Sequence, residues 1–145
     1  FEPHFGVDES GKGDFFGPLV IAGAYVNKEI SRELLEKGIM DSKRISSSAR
    51  IKKLAGIVRG IKGLSWEVIS LKPEKYNELY TKFGNLNRLL AWGHAKVIAS
   101  LAEKVPSCPS ALSDQFARKE LLEGMLSREA SAQHIELTKT PKAER

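Results

Sequence analysis

The chain has 145 residues, with 23 Lys+Arg against 18 Asp+Glu, a net charge of +5 and 41% hydrophobic residues. That balance fits one globular domain with a sizeable core and excludes a collagen-like repeat, a disordered tail and a disulfide scaffold. Cys108 is the only cysteine, no apolar run approaches the ~20 residues that cross a bilayer, and Phe1-Glu2-Pro3-His4 is no signal peptide, so a cytoplasmic protein without a membrane partner is expected.

The positive charge is concentrated. Residues 41–63 hold seven cations and one anion, a net +6, which leaves −1 for the rest of the chain. Such a stretch fits a polyanionic partner, and it also fits a solvated helix face.

In chain order, residues 4–8 read as a short strand that stops in Ser-Gly-Lys-Gly. Residues 18–26 (PLVIAGAYV) are nearly continuous in apolar character, as in a strand covered on both faces. Ser46-Ser47-Ser48 offers capping hydroxyls to an amphipathic helix with Ile51, Leu54, Ala55 and Val58 inside and a basic outer side. Residues 64–71 read as a strand. Pro73 opens a helical stretch that Gly84 divides in two, and Pro106 and Pro109 end it around Cys108. A strand at 111–114, a helix at 117–126 and a strand at 133–138 complete a mixed α/β domain with helices packed on a sheet. Trp92, His94 and Asn87 fall in the second helical segment, where a core tryptophan and a structural histidine are expected.

The segment from Gly6 to Pro18 carries the chemistry. Gly6, Gly11 and Lys12 have the spacing of a phosphate-binding loop, but Gly13 stands where Ser or Thr should meet the metal. Asp8 and Glu9 would also repel phosphates from such a cradle. The same carboxylates suit hard divalent cations, which need several acidic groups gathered from different elements. Adjacent strand residues point to opposite faces, so joint action of Asp8 and Glu9 requires the backbone to leave regular strand geometry there. Asp114 closes an apolar strand and Glu144 follows the last one, positions suited either to convergence at one sheet edge or to ordinary capping.

Five blocks occur in a fixed order: Asp-Glu-Ser-Gly-Lys-Gly-Asp-Phe-Phe-Gly-Pro-Leu-Val from Asp8; Asp41-Ser42-Lys43; Gly84-Asn85-Leu86-Asn87 with Leu90-Ala91-Trp92; Ser113-Asp114-Gln115-Phe116-Ala117; and Lys142-Ala143-Glu144. Together they resemble bacterial ribonuclease HIII, a type 2 ribonuclease H related to ribonuclease HII. Lys12, where HII typically has Arg, and Glu144, where HII typically has Asp, favour the HIII branch.

The resemblance implies a ribonuclease H-like α/β fold, a mixed sheet flanked by helices, with residues 1–145 as the catalytic domain. It implies an endonuclease that hydrolyses the RNA strand of RNA–DNA hybrids and leaves 5′-phosphate and 3′-hydroxyl ends. It further implies a pair of Mg²⁺ (or Mn²⁺) ions held by Asp8, Glu9, Asp114 and Glu144, with Asp8 between them. Gly11, Lys12 and Gly13 would meet the substrate, Lys12 and Lys43 through phosphates, and no obligatory protein partner is implied. A non-catalytic nucleic-acid-binding module of the same fold is the alternative reading.

The family normally carries an N-terminal domain similar to the TATA-binding protein fold and a C-terminal helix rich in Ala, Ser and Ile. The chain contains neither, so it is expected to be a piece of something longer, with apolar sheet surface left bare.

Overall fold

The structure, a computed structural model, describes residues 3–10, 18–36, 64–113 and 119–139. The expected basic helix at 51–62 lies outside these residues, as do Gly11, Lys12, Gly13, Lys43, Asp114 and Glu144.

Five strands form one sheet: β1 (His4–Ser10), β2 (Leu19–Val26), β3 (Trp66–Leu71), β4 (Ser110–Ser113) and β5 (Glu136–Lys139), in the order β3-β2-β1-β4-β5. The β1–β2 and β2–β3 pairs are antiparallel, while β1–β4 and β4–β5 are parallel. Among the described residues four α-helices accompany it: α1 (Lys28–Glu36), α2 (Pro73–Phe83), α3 (Leu86–Lys104) and α4 (Lys119–Leu126).

Alternation along the strands sorts the sheet into two faces. Phe5, Val7 and Glu9 of β1, Leu19, Ile21 and Gly23 of β2, and Ala111 and Ser113 of β4 are buried. Gly6, Asp8, Val20, Ala22, Ala24 and Leu112, on the second face, are half-buried. Strand β2, within the run expected to be covered on both faces, thus has one buried face and one half-buried face, with no residue of Leu19–Val26 exposed. Among the described residues the exposed large hydrophobics are Val68, on β3, and Tyr80.

Helix α3 is the centre of the molecule. Leu89, Leu90, Val97, Ile98 and Leu101 are fully buried in it, and Leu122 and Leu126 of α4 belong to the same core. Gly84 ends α2 in the left-handed region (φ 86°), where a side chain would be strained. Asn85 then starts α3, its side-chain oxygen accepting the Arg88 N–H at 2.8 Å. The paired Gly84-Asn85 is thus a stop followed by a start. One helix went unread in the sequence: α1 begins where Asn27 Oδ1 accepts the Ile30 N–H at 2.9 Å. That asparagine, three residues ahead of an apolar position, is the signal that marks it.

Two small positions let α3 approach the sheet. A β-carbon on Gly93 would run into the Ile21 side chain, and one on Gly23 would lie 2.6 Å from Val97 Cγ1. The four-residue step from Gly93 to Val97 on the helix therefore matches two residues of β2 (Ile21 to Gly23), the two steps spanning about 6.0 Å and about 6.8 Å. At the sheet's opposite margin, Glu67 of β3 accepts from Ser100 Oγ (3.0 Å) and pairs with Lys104 Nζ (3.2 Å), while Lys104 also donates to the Trp66 carbonyl at 2.8 Å.

Overpacking sets the first prediction. Gly93→Ala should lower the urea midpoint by about 1 kcal/mol of stability, the steric cost exceeding the gain in helix propensity. Adding Ile21→Val, which removes the obstructing methyl, should recover most of that loss. The second concerns Glu67. Partial burial pushes its carboxyl up, but the hydrogen bonds from Lys104 and Ser100 together outweigh this and hold it below the ordinary value of 4.5. A depressed carboxyl stabilises above its unfolded pKa and ceases to do so as pH falls through the folded one. Glu67→Gln should therefore cost about 0.2–1 kcal/mol at pH 7, and the gap should close on acidification below pH 4.5 in paired urea titrations.

Candidate metal centre at the sheet edge

Three parallel strands share a register. Val7 pairs with Ser113, and Ser113 pairs with Lys139, so these three residues of β1, β4 and β5 stand side by side across neighbouring strands. Carboxylates follow each of them in sequence: Asp8 and Glu9 directly after Val7, Asp114 directly after Ser113, and Glu144 five residues beyond Lys139. Crevices at the carboxyl ends of strands are where α/β sheets place ligands.

Asp8 and Glu9 do not separate from the sheet to meet one another. Strand β1 keeps its antiparallel ladder with β2 through Asp8↔Ala22, Glu9↔Ile21 and Ser10↔Val20. The expected departure from strand geometry at these two residues is therefore corrected: the glycine-containing segment begins only after Ser10. Asp8 is half-buried on the second face, and its Oδ1 accepts the Glu9 N–H at 2.8 Å.

Glu9 lies under α3, with 7% of its surface exposed. Its Oε1 is 2.8 Å from His94 Nε2, and His94 Nδ1 is 3.0 Å from Ser113 Oγ. An ionised carboxylate only accepts, so the neutral ring would donate from Nε2 to Glu9 and accept the Ser113 hydroxyl at Nδ1. His94 is wholly buried, as a structural histidine would be, yet Glu9 and Ser113 both belong to the candidate site. Sequence reasoning passed over it because a helical His carries no motif. The available signal was its neighbour Gly93, whose absent side chain seats that turn on Ile21, the ladder partner of Glu9. Trp92 packs against Phe83, ring centroids 6.0 Å apart, and Asn87 is exposed.

Among the described residues, no three His, Cys, Asp or Glu side chains cluster closely enough to hold a metal ion. Asp8 and Glu9 are two hard oxygen donors at one strand end, which fits a divalent cation only as part of a larger set. No described helix is long and apolar enough to cross a membrane.

A mixed α/β sheet whose parallel strands are each followed in sequence by acids is the class this arrangement defines. The ribonuclease HII family model matches residues 5–145, and the chain belongs to that family. It is similar to ribonuclease HIII of Chlamydia pneumoniae, 50% identical over 145 residues and covering 98% of this chain and 47% of that protein. It is also similar to ribonuclease HIII of Protochlamydia amoebophila (strain UWE25), 40% identical over 142 residues, covering 98% and 45%. Both agree with the HIII branch read from Lys12 and Glu144. Among solved structures, Bst-RNase HIII in complex with Mn²⁺ superposes with a TM-score of 0.77 at 26% identity, covering 99% of this chain and 46% of that one. The PCNA:RNase HII complex from Archaeoglobus fulgidus gives 0.70 at 29%, covering 97% and 63%. The chain thus spans about half the length of the curated relatives it matches.

Two carboxylates side by side repel each other, so the wild-type pair is a cost to folding that a cation offsets. Asp8→Asn keeps an oxygen acceptor for the Glu9 N–H. It should melt no lower than wild type in metal-free buffer, yet gain much less from added Mn²⁺ in a thermal scan.

Proposed function

We propose that the chain is the catalytic domain of an endonuclease that hydrolyses the RNA strand of RNA–DNA hybrids, leaving 5′-phosphate and 3′-hydroxyl ends. The observation that carries this reading is the shared register of Val7, Ser113 and Lys139, each followed in sequence by an acid. Membership of the ribonuclease HII family and the Mn²⁺ complex of Bst-RNase HIII support it.

In this reading Asp8, Glu9, Asp114 and Glu144 hold two divalent ions, Mg²⁺ or Mn²⁺. When bound, such ions supply Lewis-acid stabilisation of the phosphoryl and leaving oxygens and a nucleophilic water at neutral pH. The chain's own contribution is placement. The half-buried Asp8 offers its carboxylate to solvent-borne ligands, while the enclosed Glu9 brings a second oxygen donor whose position the helix fixes.

Substrate discrimination falls to the segment after β1. Gly11 and Gly13 lack side chains that would keep backbone amides and carbonyls from a ribose, and the 2′-hydroxyl, as donor and acceptor, is the group that distinguishes RNA from DNA. Lys12 and Lys43 neutralise phosphates, and the net +6 of residues 41–63 adds attraction that carries no base sequence information.

A labelled hybrid incubated with the protein and either Mg²⁺ or Mn²⁺ tests the proposal. Internal cuts in the RNA strand, ending in 3′-hydroxyls, are expected. Asp114→Asn should lower the cleavage rate by a factor of 10² or more while the gel-shift affinity for the hybrid changes little, about 10² being the scale on which single preorganised catalytic groups act. Binding without cutting by the wild-type protein would establish the non-catalytic module instead.

A further inference from the structure

We propose that His94 is a positioning residue for the metal centre: it clamps Glu9 from α3 and ties it to Ser113, the residue preceding Asp114. The inference rests on the reading of Glu9 as a metal ligand and adds a residue that reading does not contain.

The argument begins with placement. Glu9 and Ser113 sit on adjacent parallel strands and on the same face, because Ser113 pairs with Val7 and Glu9 lies two residues on. They are diagonal neighbours on that face. The His94 ring spans them, 2.8 Å from one and 3.0 Å from the other. Its backbone is fixed because Gly93 allows α3 to rest on Ile21, the residue paired with Glu9.

Energetics then separate a positioning role from a packing role. His94 and the Glu9 side chain are 0% and 5% exposed. Burying a carboxylate against an imidazole carries a desolvation cost that a pair of apolar side chains would avoid, so such a pair is weak evidence for stability. What it does supply is direction. A glutamate has three rotatable bonds, and one charge-assisted hydrogen bond from a rigid helix fixes where its carboxylate stands. Carboxylates that bind metals are commonly oriented by hydrogen-bond partners of their own, and losing such a partner costs about 10–100-fold in metal affinity or activity. Here the same ring also contacts the last residue of β4, so one helix side chain registers two strand ends from which acids follow. A carboxylate has lone pairs enough to accept from His94 and still face a cation.

The test measures Mn²⁺ affinity without substrate, by electron paramagnetic resonance of the free ion, with thermal melts in metal-free buffer and cleavage rates alongside. His94→Ala should weaken Mn²⁺ binding about 10–100-fold and lower the cleavage rate. His94→Gln, whose amide N–H can stand where Nε2 stands, should restore both towards wild type. His94→Asn, whose shorter amide falls short of Glu9, should not. In a Glu9→Gln background, His94→Ala should add no further loss, since its path to the metal is gone.

Wild-type affinity in His94→Ala, beside a clear loss in Glu9→Gln, would overturn the positioning role and leave the metal reading intact. Unchanged affinity in Glu9→Gln would instead overturn the metal reading itself. A loss from His94→Ala that persists in full in the Glu9→Gln background would overturn the route through Glu9. If His94→Ala does not fold, the Gln and Asn variants decide: Gln tight and Asn weak supports the proposal, and equal affinities overturn it.

Discussion

The architecture depends on how closely one helix lies on one strand. Side chains normally hold a helix about 10 Å from a sheet, but α3 crosses β2 at two places where a side chain is missing, Gly93 on the helix and Gly23 on the strand. Between them Ile21 and Val97 fill the space that the glycines leave. That fit fixes the helix along its axis and about it. Because β2 is laddered to β1 throughout, any displacement of the helix is also a displacement relative to Asp8 and Glu9. The core is therefore more than a source of stability. It is the gauge that sets an imidazole against a carboxylate.

The mixed sheet divides the labour. Its antiparallel half, β1 to β3, uses near-neighbour connections and is braced at its margin by Glu67, Ser100 and Lys104. Its parallel half brings strand ends together at one edge, something antiparallel neighbours cannot do, since their ends alternate. Strand β1 belongs to both halves. It pairs with β2 through Ser10 and, on its other side, sets Val7 against Ser113 of β4, with the two acids following Val7.

Much of this was legible in the sequence where local chemistry decides. The Gly84-Asn85 break announced itself because a left-handed stop and a side-chain cap use residue types that few other positions favour. The strands could be placed because they follow apolar runs. Less legible were features that depend on what a residue meets across space. Asn27 as a cap for α1 was overlooked because the helix it starts is short and largely polar. The regular course of β1 through Glu9 was misjudged because the glycines that follow suggested an earlier break. His94 was assigned to structure alone, since its significance lies in Glu9, 85 positions away.

The pairing of β1 with β4 has a temporal side. It joins residues about a hundred positions apart, so its closure entropy must be met before its contacts reward it, and connections of that span slow the approach to the native state. A nascent chain that has formed only the β1–β2–β3 meander holds Asp8 and Glu9 but no neighbouring strand end. The parallel edge is completed only when β4 arrives beneath a seated α3. A centre assembled by that last, most distant contact stays chemically latent until the whole domain has closed.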